Sequence, residues 1–400
     1  MDIILARTVT LLVVAILVAI AARRLSLPYT VGLVVTGVGF ALLHVDFAPT
    51  LTHDFIFDVI LPPLLFEAAL SLRWRELRRD MLPIMTLSIL GVVVSAAVVA
   101  AGMVCLLGWP LVSALVFGVL IAATDPVAVI AMFKDTGVKG RLRLLVESES
   151  LFNDGVAAVF FGLVLAWANA SGGAAGPAQI AVALVLTSGG GVAIGLVCGA
   201  AALLLAGRTN DQLAETAMTT AAAYGSFLLA EHFHVSGVLA TVAAGLLMGN
   251  VAVQDAARLK VLSEQARDFV VAFWDFAAFV ANSFVFLMIG VAAATIPFST
   301  LGAASLSIAI ALVLAGRLVT VYPLCLLFRW SRWEIPFAEQ HVLWWGGLRG
   351  ALALALALAL PGSLPLRNEI LIATFGVVTF SVIVQGLTMK PLLRRLGLLS

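Results

Sequence analysis

Apolar blocks long enough to cross the hydrocarbon core of a bilayer follow one another from end to end of this 400-residue chain, with no polar block of domain length between them. A water-soluble domain covers itself with charge, yet only 11% of these residues are charged, 62% are hydrophobic, and the mean hydropathy is +1.13. The expected fold class is therefore an all-α polytopic membrane protein without a soluble domain, whose function lies inside the membrane. Cys105, Cys198 and Cys325 sit in apolar runs without CxxC or Cys/His spacing. They read as small buried residues, not as a disulfide framework or a metal cluster. The first block has no basic region before it and Arg23 and Arg24 after it, which marks a retained span and not a cleaved signal.

Thirteen candidate spans can be placed, at about 3–21, 28–44, 54–71, 81–108, 111–133, 148–169, 177–206, 211–231, 236–251, 269–296, 299–328, 338–360 and 368–389. Lysine and arginine gather in cytoplasmic loops. Nineteen of the 23 basic residues follow odd-numbered spans, including Arg258, Lys260 and Arg267 after the ninth. This asymmetry places the N-terminus outside and the C-terminus in the cytoplasm. Thirteen also divides as six, one and six. Residues 1–169 then form a first repeat, 177–206 a linking helix and 211–396 a second repeat of opposite orientation, the plan of inverted-repeat transporters. In that register the fifth span, carrying Thr124-Asp125-Pro126, corresponds to the twelfth, carrying Gly346-Gly347-Leu348-Arg349-Gly350.

Charged and helix-breaking residues are costly in such a setting and mark paths for ions or protons. Pro126 has no N–H for the carbonyl of Ala122, so the fifth span is expected to open near Thr124. Freed carbonyls and the Thr124 hydroxyl are oxygen donors suited to a hard monovalent cation, and Asp125 can neutralise the helix N-terminus beyond the break. The alternative is a proline kink with a capping aspartate. In the sixth span Ser150 and Asp154 are four residues apart on one helical face, with Glu147 on the same stripe and Asn153 beneath Glu149. If Asp154 can bind either a proton or a cation but not both, the site exchanges one for the other. Glu67, just past Pro62 and Pro63, is either a further ligand or a structural acid. Arg349 must find a carboxylate or carbonyls within the protein, and Glu149 is the expected partner. Arg317 reads as another fixed buried charge with no partner assigned. Gly191, Gly195 and Gly199 form a double GxxxG in the seventh span, for close helix packing or for a dimer face.

At these residues the chain resembles the sodium/proton antiporters of the cation:proton antiporter-1 family, which includes NhaP-type proteins and the sodium/hydrogen exchangers. The likeness covers nearly the whole chain and rests on LPPLLFE at 61–67, TDPVAV at 124–129, ESLFNDG at 149–155 and GGLRGA at 346–351, in that order. It implies an NhaA-like antiporter fold of thirteen spans with crossed, partly unwound helices, a homodimer, and a core domain moving against a dimerisation domain. By position, Asp154 resembles the family's ion- and proton-binding aspartate, preceded by Asn153. Ser150, Thr124, Asp125 and Glu67 resemble direct or water-mediated Na+ contacts, and Glu149 with Arg349 resembles the family's structural ion pair. An Asn-Asp pair is similar to the electroneutral branch. Only about ten residues follow Met389, so regulation by a long cytoplasmic tail is not expected.

The resulting expectation is a secondary transporter of a prokaryotic plasma membrane, not an enzyme, exchanging Na+ or Li+ for H+ at Asp154 by alternating access. It needs no cofactor and no nucleic-acid partner; its surroundings are the lipid bilayer. K+/H+ exchange is the nearest alternative. A passive cation channel lacks a repeated carbonyl filter here, and an intramembrane enzyme lacks a base for Ser150 within its span.

Overall fold

The computed structural model describes residues 2–25, 27–43, 52–169, 177–209, 211–254 and 262–399, and these are helical, with no strand among them. Arg258 and Lys260 lie outside the described residues. In chain order the main helices are α1 (Asp2–Leu25), α2 (Tyr29–Leu42), α3 (Leu61–Ser71), α4 (Met81–Leu107) and α5 (Leu111–Leu120). Then come α6 (Val127–Thr136), α7 (Arg141–Asn169), α8 (Pro177–Ala206), α9 (Gln212–His232) and α10 (Gly237–Gln254). The last are α11 (Glu264–Thr295), α12 (Ala303–Leu326), α13 (Phe337–Trp345), α14 (Ala351–Leu358) and α15 (Arg367–Arg395).

Seven helices among the described residues are long and apolar enough to cross a membrane: α4, α7, α8, α10, α11, α12 and α15. α5 and α6, and likewise α13 and α14, are separate short helices because the chain between them leaves the helix. At about 1.5 Å per residue, neither half of either pair spans a bilayer alone. α7 begins at Arg141 and α15 runs to Arg395, beyond the hydropathic stretches that mark them in the sequence. Their extra turns carry charged residues, which hydropathy excludes and a membrane surface accepts. Large apolar side chains stay exposed along the helices, such as Leu17 (60%), Val185 (70%) and Leu204 (71%). They are satisfied by lipid, where water would penalise them.

The chain gathers into two compact units, each drawing on both halves of the sequence: Met1–Ile56, Pro83–Asn153 and Asn282–Ser400 form the first, Phe57–Leu82 and Asp154–Ala281 the second. In the first unit α4 serves as the post for two neighbours. A Cβ at Gly118 of α5 would strike the backbone of Ala96, and one at Gly316 of α12 would lie 3.0 Å from the Ser95 hydroxyl. Thr320 of α12 donates to the carbonyl of Gly91 (3.4 Å). These contacts deliver Arg317, the residue after Gly316, into the unit's interior.

In the second unit Phe66 of α3 lies 4.5 Å from Trp274 of α11, ring centre to ring centre, within a core that includes Leu70, Ala223 and Met248. The Trp274 indole N–H reaches Thr219 Oγ1 at 2.9 Å. The double GxxxG of α8 is spent here. Gly191, Gly195 and Gly199 lie against the backbone of Ser236, Ala240 and Ala244, so the seam joins α8 to α10 within one chain. Leucine at Gly195 must push α10 away, and overpacking of this kind costs about 1–3 kcal/mol. Gly195→Leu is therefore expected to lower the thermal midpoint of the detergent-solubilised protein. An unchanged midpoint with a smaller oligomer would instead assign the seam to a dimer face.

Candidate functional site

Two broken helices build the centre of the first unit. After α5 the helix is broken over residues 123–126 and resumes at Val127; after α13 it is broken over 347–350 and resumes at Ala351. The two broken stretches are bonded to each other through the Asp125 amide and the Leu348 carbonyl (2.8 Å). Four helix ends thus lose their in-helix partners, and each open end carries partial charge.

The sequence supplies a counter-group for every end. Asp125 accepts from the amide of Val127 (2.9 Å) and from that of Ala351, so one carboxylate faces the N-termini of both α6 and α14. Its fit requires Gly350, where any Cβ would collide with the Asp125 side chain. Arg349 Nη1 donates to the carbonyls of Ala122 (3.0 Å) and Ala123 (3.1 Å) beyond the end of α5. The Ala122 carbonyl is the one that Pro126 cannot serve. Arg317 Nη2 donates to Leu343 O (3.1 Å) and Gln385 Nε2 to Trp345 O (2.9 Å), closing the end of α13. The second break is pinned further by the Arg349 amide, which donates to Ser381 Oγ at 2.7 Å.

α7 holds the first break from the side. Asn153 Nδ2 donates to Thr124 Oγ1 (2.6 Å), and Asn153 Oδ1 accepts from the Thr124 amide (3.1 Å). Ser150 Oγ donates to the Thr124 carbonyl and accepts from the Thr124 hydroxyl (3.3 Å). Asn153 also donates to Glu149 Oε1 (3.2 Å), four residues earlier on the same face. Its amide is committed to bracing Thr124 and Glu149, which is a positioning role.

One expectation is corrected. The partner of Glu149 is Arg317, not Arg349: Arg317 Nη1 and Nη2 meet Glu149 Oε1 and Oε2, both at 2.8 Å. The pair is sealed, with Glu149 2% and Arg317 6% exposed. Two glycines decide the choice. Gly316 brings α12 onto α4, and a Cβ at Gly347 would lie 2.6 Å from Arg317 Nε, so the guanidinium passes only because Gly347 has none. Arg349 is drawn instead to the carbonyls freed by the break. Beside the pair lies a cavity no larger than a water molecule, lined by Thr124, Pro126, Ser150, Glu149, Arg317 and Gly346 among others.

Asp154 and Glu67 belong to the second unit. Asp154 follows Asn153 along α7 and is half-buried, unlike the sealed Glu149. Glu67, also half-buried, lies on α3, whose position is set from α10. Gly245 and Gly249 touch the backbones of Phe66 and Leu70. Asn250 Nδ2 takes the Leu72 carbonyl (3.0 Å), Asn250 Oδ1 the Trp74 amide (2.6 Å), and Gln254 Nε2 the Leu70 carbonyl (3.1 Å). Sequence reasoning passed over Asn250, Gln254, Ser381 and Gln385, along with Ser88, which donates to the Glu149 carbonyl (3.1 Å). Their common signal is a polar side chain within an apolar span.

Removing one partner of a buried pair costs about 3–5 kcal/mol, whereas coupling between groups out of contact is close to zero. A double-mutant cycle of Glu149→Gln with Arg317→Met, read as thermal stability, is expected to show strong coupling, and the cycle with Arg349→Met little. The reverse pattern would restore Arg349 as the partner of Glu149.

The profile of the transmembrane sodium/hydrogen exchanger family matches residues 9–395. Among curated relatives, an Na+/H+ antiporter of Aphanothece halophytica is 39% identical over 97% of this chain and 73% of its own length. An Na+/H+ antiporter of Halobacillus aidingensis is 34% identical over 97% of this chain and 96% of its own. Among solved structures, the sodium proton antiporter of Methanocaldococcus jannaschii superposes with a TM-score of 0.77 at 20% identity, over 98% of each chain, and so shares the fold. The chain belongs to the sodium/hydrogen exchanger family.

Proposed function

We propose that the chain is a secondary antiporter exchanging Na+, or Li+, for H+ by alternating access, with cation and proton competing at Asp154. The observation that carries this reading is the compensated pair of broken helices. A chain that opens two spans and then satisfies all four ends internally has built a polar floor within hydrocarbon, and such floors serve ions. Thr124 and Ser150 supply neutral oxygens there, each with lone pairs beyond the bonds it now makes. Asp154, one turn beyond Ser150, supplies the charge, with Glu67 and Asp125 as further contacts, directly or through water. With Asp154 as the one carboxylate that alternates between cation and proton, exchange is electroneutral at one cation per proton, and Asn153 before it is a marker of that stoichiometry. The relatives named as Na+/H+ antiporters support the choice of cation.

The finer architecture follows the same reading. Counting each broken pair as one span gives thirteen, in inverted repeats 1–169 and 211–396 joined by α8, with the breaks at matching places. The N-terminus lies outside and the C-terminus in the cytoplasm of a prokaryotic cell, and two copies form a homodimer in the plasma membrane.

The test is proton movement in proteoliposomes holding a pH gradient, after addition of Na+, Li+ or K+, with and without a clamped voltage. Na+ is expected to dissipate the gradient regardless of voltage. Asp154→Asn is expected to fall to the level of empty liposomes. Ser150→Ala is expected to raise the KM for Na+ about tenfold, since one bond to a charged group contributes about 1.5–3 kcal/mol. Exchange retained by Asp154→Asn would remove the competition mechanism, response to K+ alone would change the substrate, and no cation-dependent flux would end the antiporter reading.

A further inference from the structure

The connection from α12 to α13 reads Arg329-Trp330-Ser331-Arg332-Trp333, a basic-aromatic stretch with no part in the cation site. It is a built turn. Ser331 Oγ donates to the Phe328 carbonyl (2.9 Å) and accepts from the Trp333 amide (3.1 Å). Arg141, the first residue of α7, holds the turn through the carbonyls of Trp333 (3.0 Å) and Glu334 (2.6 Å).

On this frame each arginine lies over the indole that follows it. Arg332 Cζ is 4.3 Å from the Trp333 ring centre, and Arg329 Cζ is 5.7 Å from that of Trp330. Both guanidiniums are exposed, and neither forms an ion pair among the described residues, the exposed Glu334 included. Trp330 is 91% exposed, and its indole N–H has no partner among the described residues. In water this is a poor place for the largest apolar side chain. At the level of lipid headgroups it is a favourable one, because the ring is apolar and the N–H can reach a phosphate or ester oxygen.

The surroundings separate a lipid from a free anion. Leu327 (68% exposed) precedes the turn and Phe337 (66% exposed) follows it, so apolar surface for acyl chains adjoins the two guanidiniums. A guanidinium fork matches the two oxygens of a phosphate. We propose that the Arg329–Trp333 turn is a binding site for the phosphate headgroup of an anionic phospholipid, with Trp330 inserted at the interface. The turn leads into α13, which ends at the second break, so a bound headgroup anchors the outer end of that half-helix. This consequence for transport rests on the antiporter reading, whereas the binding does not.

The test is retention of phosphatidylglycerol against phosphatidylcholine by the purified full-length protein, read by native mass spectrometry. Wild type is expected to retain phosphatidylglycerol preferentially. Arg329→Gln/Arg332→Gln is expected to weaken retention roughly fivefold per guanidinium lost, and Trp330→Ala to weaken it further. Replacing both arginines by lysine is expected to preserve part of it. The exposed single variant Trp330→Ala gives a reading even where the double variant is not monodisperse. Equal retention by wild type and variants would overturn the proposal, as would displacement of phosphatidylglycerol by inorganic phosphate, which would mark a free-phosphate site. In liposomes, a wild-type exchange rate that rises with phosphatidylglycerol content, and a variant rate that does not, would join the site to transport.

Discussion

Hydrocarbon cannot solvate an open helix end, and an unmet amide or carbonyl there is penalised by several kcal/mol. This chain opens two helices, and much of the first unit follows from having to meet the groups released. Asp125 faces two N-termini at once, Arg349 takes the carbonyls beyond α5, and Arg317 with Gln385 takes those at the end of α13. The arrangement is reciprocal. The acid from the first break serves the second, and the base from the second serves the first, so neither break is stable without the other.

The same requirement separates two kinds of buried charge. Glu149 and Arg317 form a sealed, bidentate pair, and removing either partner would leave a lone charge inside the protein. Such a pair fixes geometry: through Asn153 it holds Thr124, and through Leu343 it holds α13. Asp154 and Glu67 are half-buried instead, with part of each side chain open to its surroundings.

Legibility in the sequence tracked how local the cause was. The breaks at Thr124 and at Gly346–Gly350 were readable because Pro126 and the glycines act on their own backbone. The bracing of Asn153 beneath Glu149 was readable because four residues make one turn. The partner of Glu149 was not, since Arg317 and Arg349 are both buried arginines and the choice turns on contacts of Gly316 and Gly347 with residues far along the chain. Likewise the double GxxxG announces a close approach but not what approaches, and α10 fills that place. The first turns of α7 were missed because Arg141 and Arg143 lower the hydropathy of a helix that continues past the apolar stretch.

On the proposed repeat, the two halves differ where the chemistry would lie. Ser150 and Asp154 stand four residues apart in the sixth span, and Ser381 and Gln385 stand four apart in the thirteenth. Both serines hold the neighbouring break, Ser150 through the Thr124 carbonyl and Ser381 through the Arg349 amide. The second half has a glutamine where the first has an aspartate, and an arginine where the first has Asp125. Gln385 uses its amide to close α13, and Arg349 spends its guanidinium on the carbonyls of Ala122 and Ala123. The frame is thus built twice and made acidic once. On the proposed competition at Asp154, a single carboxylate alternating between Na+ and H+ would leave the charge of the loaded protein unchanged, which is the physical content of one-for-one exchange.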